Sequence, residues 1–173
     1  MIHLKPATPQ DYKAIAELHT TNWQQNYRGI LSDDYLDNKA AEERSEVWYN
    51  RLYSPVVNQI TTIATMDDIL VGFSCLLLND DVTYGSLLDN LHVSQQLQKS
   101  GIGKLLMQHC AKTILEKASS KKMYLWVFES NYNARTVYEK LGGTHTETTD
   151  HVNWDGTKAK TCRYIWDDVT ILL

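Results

Sequence analysis

The chain has 173 residues, of which 43% are hydrophobic and 22% charged, and its formal net charge is -4. This length suits a single domain, residues 1–173, and the composition excludes the disordered, collagen-like and disulfide-dense classes of protein. The longest basic run is Lys121-Lys122, so the chain lacks the positive excess that binds nucleic acid.

The pattern of apolar residues predicts neither a leader nor a membrane span. Its first residues, "MIHLKPATPQDY", lack a long apolar core, and nowhere do about 18 apolar residues run together. We therefore expect a cytoplasmic protein with no membrane partner. Cys75, Cys110 and Cys162 are widely spaced with no CxxC pair, which predicts buried thiols and argues against a disulfide framework or a zinc site.

The first half of the chain predicts a strand, two helices and three further strands. Residues 2–5 favour a short strand, and residues 8–23 favour a helix with Thr8 as its N-cap. The loop "YRGILSDDY" leads to a second helix, rich in Ala, Glu and Arg, that ends before Pro55. Two apolar strands then flank Asp67-Asp68, which predicts a hairpin, and "VTYGSLLDNLHV" forms the third strand.

The second half alternates between helical and strand patterns. From Gly101 onward the apolar residues recur at spacings of three and four, which predicts a helix. The segment "KMYLWVFE" predicts a strand, "NARTVYEKLGG" a helix that ends at Gly142, and the last stretch a hairpin that turns at Asp155-Gly156. The resulting order of seven strands and four helices indicates an α/β (α+β) fold with a mixed sheet.

The segment "VSQQLQKSGIGKLLMQHC" joins a strand to a helix through two glycines. A glycine turn before a helix N-terminus presents unpaired amides and a favourable dipole to phosphate groups, although it can also be a plain strand-to-helix turn. The dinucleotide fingerprint needs a glycine where Leu106 stands. The nucleotide P-loop needs a serine or threonine where Leu105 stands, so both of these sites are excluded.

The third kind of phosphate loop is the coenzyme A loop. Its pattern is a central strand ending in Val, a few loop residues, then Gln or Arg, two residues, Gly, one residue, and Gly or Ala. Val93, Gln98, Gly101 and Gly103 stand at these positions in order. The chain supplies this pattern and so resembles the GNAT N-acetyltransferase superfamily, although Gln95 and Lys99 replace a frequent Pro and Gly. The resemblance implies a largely antiparallel sheet, acetyl-CoA as co-substrate, pantetheine pairing with the central strand, and pyrophosphate held by loop amides. The cofactor residues implied here are Leu91, His92, Val93, Gln98, Lys99, Ser100, Gly101, Ile102, Gly103 and Lys104.

A second motif of the same family follows the next strand. Asn131, Ala134, Tyr138 and Gly142 stand at the family's positions in "ESNYNARTVYEKLGG", although Gly143 replaces the usual Phe. The resemblance implies that Asn131 and Ala134 lie beside the cofactor and that Tyr138 protonates the departing thiolate. A phenol with a pKa near 10 is protonated at neutral pH, as a general acid must be. A core tyrosine on an amphipathic helix is the alternative.

The reaction implied is direct attack of a primary amine, from a small molecule or a peptide, on the acetyl carbonyl. A base must take the amine's proton, and Asp89 and His92 are the nearest titratable residues on the central strand. They are three positions apart and face opposite sides of it, so at most one of them points at a given site. Each is also explained as a solvated or sheet-packed side chain.

The acceptor pocket implied by the resemblance is lined by the segment between the first two helices and by the final hairpin. Trp23 and Tyr27 are our candidate substrate-binding residues, and Asp33-Asp34 are placed to attract an ammonium group. The same regions hold further aromatic residues, which are also ordinary core material: Trp48, Tyr49, Tyr53, Trp154 and Trp166.

Two other interpretations remain open at this point. The chain could be a non-catalytic acyl-CoA sensor or interaction module, or it could transfer another acyl group or use another acceptor. We expect no metal, because no histidine stands at metal-ligand spacing from another ligand. A homodimer is possible, with the C-terminal "VTILL" extending a sheet or packing on a partner.

Overall fold

The computed structural model describes all 173 residues, Met1–Leu173. Its strands are β1 (Ile2–Pro6), β2 (Gln59–Met66), β3 (Ile69–Asp81), β4 (Gly85–Val93), β5 (Met123–Phe128), β6 (Thr144–Val152) and β7 (Lys158–Trp166). Its helices are α1 (Tyr12–Asn26), α2 (Asp33–Asn38), α3 (Ala40–Tyr53), α4 (Ile102–Lys117) and α5 (Tyr132–Lys140).

The seven strands follow the order β1-β2-β3-β4-β5-β7-β6 in one sheet, which confirms the predicted mixed α/β class. β1 pairs with β2, β5 with β7 and β6 with β7, each in antiparallel fashion. The parallel pairing of β4 with β5 joins Ser86 to Met123 and Leu87 to Tyr124, near the start of both strands.

The structure has five helices, so the prediction of four was wrong by one. The additional helix, α2, begins inside the stretch predicted to be a loop. Ser32 caps it by accepting a hydrogen bond from the Tyr35 amide at 3.3 Å. The helix is only six residues long, with no apolar repeat to reveal it. The burial of Tyr35 and Leu36, which the sequence does not show, stabilises it.

The contacts of the chain divide it into two compact units. Unit 1 comprises Met1–Cys75 and Asn90–Leu106, and unit 2 comprises Leu76–Asp89 and Met107–Leu173. β3, β4 and α4 each contribute residues to both units. That the chain is a single domain stays a prediction.

The core of unit 1 is aromatic and draws on α1, α3 and β3. Ile15 is buried as predicted, and Leu18 packs against the same cluster. The rings of Trp48 and Phe73 meet edge to face with their centroids 5.0 Å apart.

The predicted hairpin between β2 and β3 is also confirmed. Asp67 and Asp68 both adopt positive φ, as a tight turn of this kind requires.

The core of unit 2 includes side chains from β5 and β7. Met123, Tyr164 and Trp166 are almost fully buried there. The predicted C-terminal hairpin is confirmed, with Val152 paired to Lys158 and Gly156 at a φ of 83° in the turn.

All three cysteines are buried and none forms a disulfide, which confirms the prediction of buried thiols. No helix in the chain has both the length and the apolar character needed to cross a bilayer. The C-terminal apolar residues do not extend the sheet. They form a 3₁₀ helix, Val169–Leu172, in which Val169 and Leu172 are buried.

Candidate active site

The loop between β4 and α4 holds the paired glycines, and it belongs to unit 1. Its residues from Gln98 to Gly101 are exposed. Lys99 has a φ of 64° and Gly101 a φ of 92°, both in the left-handed region. Gly101 adopts this conformation without steric cost, whereas a residue with a side chain pays about 1–2 kcal/mol. The strained residue is therefore Lys99, at the position where the related loops often carry glycine.

Two loop amides that the resemblance assigned to pyrophosphate are used inside the loop. The amide of Gln98 donates to the carbonyl oxygen of Gln95 at 3.2 Å, and that of Ser100 donates to Leu97 at 3.4 Å. These two groups can bind a phosphate only by giving up those bonds.

The amides at the start of α4 are different. The first amide to bond along the helix is that of Leu105, which donates to the carbonyl oxygen of Gly101 at 2.9 Å. Ile102, Gly103 and Lys104 precede it, so their amides lack an acceptor within the helix. Three amides at the positive end of a 16-residue helix form a ready anion site.

The two nearby glycines have different structural roles. A Cβ added to Gly103 would lie 3.8 Å from Cγ2 of Val93, an ordinary contact, so packing does not require a glycine there. A Cβ on Gly72 of β3 would lie 3.0 Å from the carbonyl oxygen of His92 and 3.3 Å from Ile102. Gly72 thus lets β4 and the start of α4 approach closely. It was missed in the sequence, where a lone glycine in a strand was the available signal.

A polar link joins α1 to the end of β4. The side-chain amide nitrogen of Asn22 donates to the carbonyl oxygen of Val93 at 3.1 Å and lies 3.4 Å from Nδ1 of His92. Asn22 is 3% exposed. This residue was not predicted from the sequence, although a polar side chain seven positions after Ile15 and four after Leu18, on the buried face of α1, was a signal.

His92 lies beside a second histidine. The centroids of the His19 and His92 rings are 4.4 Å apart, and Phe73 flanks His92 at 5.2 Å. His19 is buried and accepts a hydrogen bond at Nδ1 from the indole nitrogen of Trp48, at 2.9 Å.

Both imidazoles are held in the neutral form. Burial, together with the charge of Arg44, lowers the pKa of His92 to about 4. Burial, followed by the charges of His92, Arg44 and Arg51, also lowers the pKa of His19 well below its ordinary value.

Several buried polar atoms near this pair have no hydrogen-bond partner in the structure. They are Nε2 of His19, Oγ1 of Thr20 and Oδ1 of Asn22. Buried polar atoms are normally hydrogen-bonded, so these three atoms of α1 are groups that a polar ligand or water can satisfy.

Asp89, the other predicted base, lies in the part of β4 that belongs to unit 2 and is partly buried. Its role stays a prediction.

The second motif lies in unit 2, on α5. Asn131 caps the helix, with its side-chain oxygen accepting from the Ala134 amide at 3.2 Å. At the other end, the amides of Gly142 and Gly143 donate to the carbonyl oxygens of Glu139 and Tyr138, at 3.0 and 2.9 Å. With Gly142 at a φ of 84°, this is a Schellman motif.

Tyr138 is partly buried and lies between aromatic neighbours. Its ring centroid is 6.1 Å from that of Trp166, edge to face, and 6.0 Å from that of Tyr164. The hydroxyl of Tyr164 donates to the Glu139 carboxylate at 2.6 Å and accepts from Arg135 at 3.2 Å. These contacts fit a packed tyrosine with partial solvent access, and its acid role stays a prediction.

The absence of the family's usual Phe has a structural reason. A Cβ on Gly143 would lie 2.6 Å from the ring of Trp166, whose indole nitrogen donates to the carbonyl oxygen of Leu141 at 2.9 Å. The indole therefore occupies the space that a side chain at position 143 would need.

The predicted acceptor residues are mainly packed against protein. Trp23 is 4% exposed and its ring lies 4.5 Å from the guanidinium carbon of Arg44. Tyr27 packs against the hydrophobic cluster that contains Trp23, Tyr35 and Leu36. Burial raises the pKa of Tyr27 to about 12. A substrate role for both residues stays a prediction. Trp48 and Trp166 are fully buried core residues and not pocket walls.

The acidic residues of α2 are already paired. Asp33 and Asp37 bind Arg28 at 2.8 and 2.5 Å, and Asp34 lies 3.2 Å from the Lys39 ammonium. Their attraction for a substrate ammonium is correspondingly weakened. No group of three or more histidine, cysteine, aspartate or glutamate side chains forms a metal-binding cluster.

Comparison with known proteins shows what the chain resembles as a whole. The family model described as "Acetyltransferase (GNAT) family" matches residues 13–143. The chain is 23% identical to the uncharacterized N-acetyltransferase YuaI of Bacillus subtilis (strain 168), over 99% of this chain and 96% of that protein. It is 27% identical to the spermine/spermidine N(1)-acetyltransferase of the same strain, over 82% of this chain and 86% of that protein.

Solved structures share the fold. The PaiA N-acetyltransferase from Thermoplasma acidophilum, in complex with coenzyme A, matches with a TM-score of 0.72 at 21% identity, over 96% of this chain and 99% of that one. An N-acetyltransferase from Staphylococcus aureus Mu50 matches with a TM-score of 0.69 at 15% identity, over 96% and 98% of the two chains.

Proposed function

The chain belongs to the acetyltransferase (GNAT) family of acyltransferases, and we propose that it transfers the acetyl group of acetyl-CoA to a primary amine of a small molecule or peptide. The observation that supports this most strongly is the start of α4. There the amides of Ile102, Gly103 and Lys104 have no acceptor within the helix, directly after an exposed glycine turn.

The proposed binding of the cofactor divides its parts among the chain's backbone groups. Its pyrophosphate accepts hydrogen bonds from the amides at the start of α4. Its pantetheine arm adds to β4 at Leu91 and Val93, which lie beyond the residues that pair β4 with β5. Lys99 in the exposed loop and Lys104 in the first turn of α4 contribute positive charge there.

In the proposed reaction, the nitrogen of a neutral amine attacks the acetyl carbonyl carbon and forms a carbon–nitrogen bond. The carbon–sulfur bond then breaks, and the Tyr138 hydroxyl gives its proton to the departing thiolate. The amine loses its proton to a base, for which Asp89 and His92 are the candidates on β4. The products are an N-acetyl amine and coenzyme A.

The proposed acceptors are primary amines in general and not one compound. One relative is named as a spermine/spermidine N(1)-acetyltransferase, which supports testing polyamines first. Amino acids, aminoglycosides and peptides with a free N-terminus belong in the same panel, because the acidic residues of α2 are paired and offer a polycation no unpaired cluster of charge.

The test is release of coenzyme A thiol when the purified protein is mixed with acetyl-CoA and each amine. We expect thiol release with at least one amine, and a loss of about 10²–10⁴-fold in kcat for Tyr138→Phe with little change in coenzyme A affinity. Tyr132→Phe is the matched control, since Tyr132 lies on the same helix and is 69% exposed.

One outcome would contradict the proposed activity, and another would contradict only the role of Tyr138. Tight binding of coenzyme A without thiol release across the panel would identify a non-catalytic sensor. Full activity of Tyr138→Phe would remove Tyr138 as the acid and leave the transferase function in place.

A further inference from the structure

The link from α1 to β4 determines where His92 carries its proton. An amide nitrogen can only donate a hydrogen bond, and that of Asn22 faces both the carbonyl oxygen of Val93 and Nδ1 of His92. The bond to Val93 fixes which way the amide points, because its oxygen would repel the carbonyl oxygen in the same place. Nδ1 of His92 is therefore the acceptor, and the neutral ring carries its proton on Nε2.

We infer that Asn22 fixes His92 as a neutral hydrogen-bond donor, with its proton on Nε2, and that His92 uses this proton to hold an oxygen of a bound substrate and is not the base. The inference rests on the proposed function, in which His92 was one of two candidate bases. It makes Asn22 a positioning residue, and it leaves Asp89 or solvent to take the amine's proton.

The neighbouring histidine supports the same reading. His19 accepts at Nδ1 from Trp48, so its proton also lies on Nε2. The two rings are 4.4 Å apart, and a second positive charge at that distance opposes protonation of either ring. The low pKa of His92, lowered chiefly by burial, agrees with a ring that stays neutral.

The two residues that contact His92 also carry unpartnered polar atoms. His19 offers a buried N–H at Nε2 and Asn22 a buried oxygen, and both lack partners in the structure. A group that accepts from a donor and also donates to Asn22, such as a hydroxyl, matches this set. The oxygen held by His92 belongs either to the acceptor molecule or to the acetyl group.

The proton position is measured directly by two-bond ¹H–¹⁵N NMR spectra of the whole protein labelled with ¹⁵N-histidine. His92→Gln identifies the His92 signals by their loss. We expect the Nε2–H form of His92 in the wild type, and a shift toward the Nδ1–H form in Asn22→Asp, whose carboxylate accepts from Nδ1. An Nδ1–H ring in the wild type would overturn the inference, whether or not the protein is active.

Kinetics separate a donor from a base by two substitutions at one position. Gln places an N–H near the position of Nε2 but takes up no proton at neutral pH, whereas Leu can do neither. We expect His92→Gln to stay within about fivefold of the wild-type kcat/KM and His92→Leu to lose at least tenfold, which is about 1.4 kcal/mol. If both variants are equally impaired, His92 is the base and the inference fails.

Two acceptors of similar size, an alkylamine and a hydroxyalkylamine, show whether the oxygen held by His92 belongs to the acceptor or to the acetyl group. An equal loss in kcat for both in His92→Leu assigns the oxygen to the acetyl group. A rise in KM confined to the hydroxyalkylamine assigns it to the acceptor. If neither kcat nor KM changes, no oxygen is held and the inference fails. Because the NMR result does not depend on turnover, failure of this inference is distinct from failure of the acetyltransferase proposal.

Discussion

Trp48 donates its indole N–H to Nδ1 of His19 at 2.9 Å, and both side chains are fully buried in unit 1. Replacing Trp48 with Phe keeps an aromatic ring beside Phe73 but removes the donor. A buried acceptor left without a partner costs about 1–3 kcal/mol, so we expect Trp48→Phe to lower the free energy of unfolding by at least that amount. Urea titration with a fluorescence or circular dichroism signal measures it.

The double variant Trp48→Phe with His19→Leu is the control for this prediction. Because it removes both hydrogen-bonding partners, it should be less destabilised than the sum of the two single variants. Additive effects would show that the hydrogen bond contributes nothing beyond packing.

The neutral histidines predict a loss of stability in mild acid. The unfolded chain takes up protons on His19 and His92 near pH 6.5, whereas the folded chain resists until lower pH, which for His92 is about 4. The unfolded state therefore binds more protons in this window, so stability is full above it and falls as the pH decreases. The slope is at most about 1.4 kcal/mol per pH unit for each histidine.

Urea titrations of the wild type and of His92→Gln, at several pH values and fixed ionic strength, test this. Carboxylates titrate in both proteins, so the difference between them reports His92 together with its effect on the pKa of the neighbouring His19. We expect the wild type to lose more stability than the variant as the pH decreases. Parallel curves would mean that the pKa of His92 is not lowered in the folded protein.

The two loop glycines should separate binding from folding. Gly103→Ala has room for its Cβ and replaces a glycine within a helix, so the fold should be unharmed. Its methyl group nevertheless stands among the amides proposed to hold pyrophosphate. We expect calorimetry to show weaker coenzyme A binding with an unchanged urea midpoint. Unchanged affinity would remove these amides from the proposed site.

Gly101→Ala, unlike Gly103→Ala, should also lower the stability of the fold. Its φ of 92° strains any other residue by about 1–2 kcal/mol. Gly156→Ala is its matched control, since Gly156 has a φ of 83° in the turn of the C-terminal hairpin and likewise has no atom within 4 Å of an added Cβ. Both variants should lose similar stability, and only Gly101→Ala should also weaken coenzyme A binding.

The contact between Gly143 and Trp166 predicts that substitutions at these two positions have non-additive effects on the free energy of unfolding. Gly143→Ala places a Cβ 2.6 Å from the indole, which must shift and strain its hydrogen bond to Leu141. We expect a loss of about 1–3 kcal/mol, as for other overpacked sites. In the background of Trp166→Leu the same alanine should cost much less, and a double-mutant cycle by urea unfolding measures the difference. An equal cost in both backgrounds would place the strain elsewhere.

Much of the fold was predictable because periodicity and turn residues act locally. The hairpins at Asp67-Asp68 and Asp155-Gly156 depend on a few adjacent residues, and the start of α4 at Gly101 depends on a change of hydrophobic period. The short helix α2 was missed because its stability comes from burying Tyr35 and Leu36, a tertiary property. The two glycine motifs were recognisable for a different reason. Each contains a glycine at positive φ, Gly101 and Gly142, and other residues rarely adopt that backbone conformation.

The polar part of the candidate site could be predicted only in fragments. His92 was found by its place on the central strand, but its proton position depends on Asn22, which is 70 residues away in the sequence. His19 and Trp48 are likewise joined across 29 positions. No local pattern encodes such pairs. Trp48 and Trp166 were grouped with pocket aromatics because composition does not distinguish a buried tryptophan from a binding one.

The burial of Cys75, Cys110 and Cys162 has a practical consequence for assays. A thiol-reactive dye added to the folded protein should meet no accessible sulfhydryl, so colour that develops during turnover reports released coenzyme A alone. Once the chain unfolds, three sulfhydryls per molecule become available to the same dye. One reagent can thus follow both catalysis and unfolding. Reaction of the protein's own thiols shows when a variant is inactive because it has unfolded.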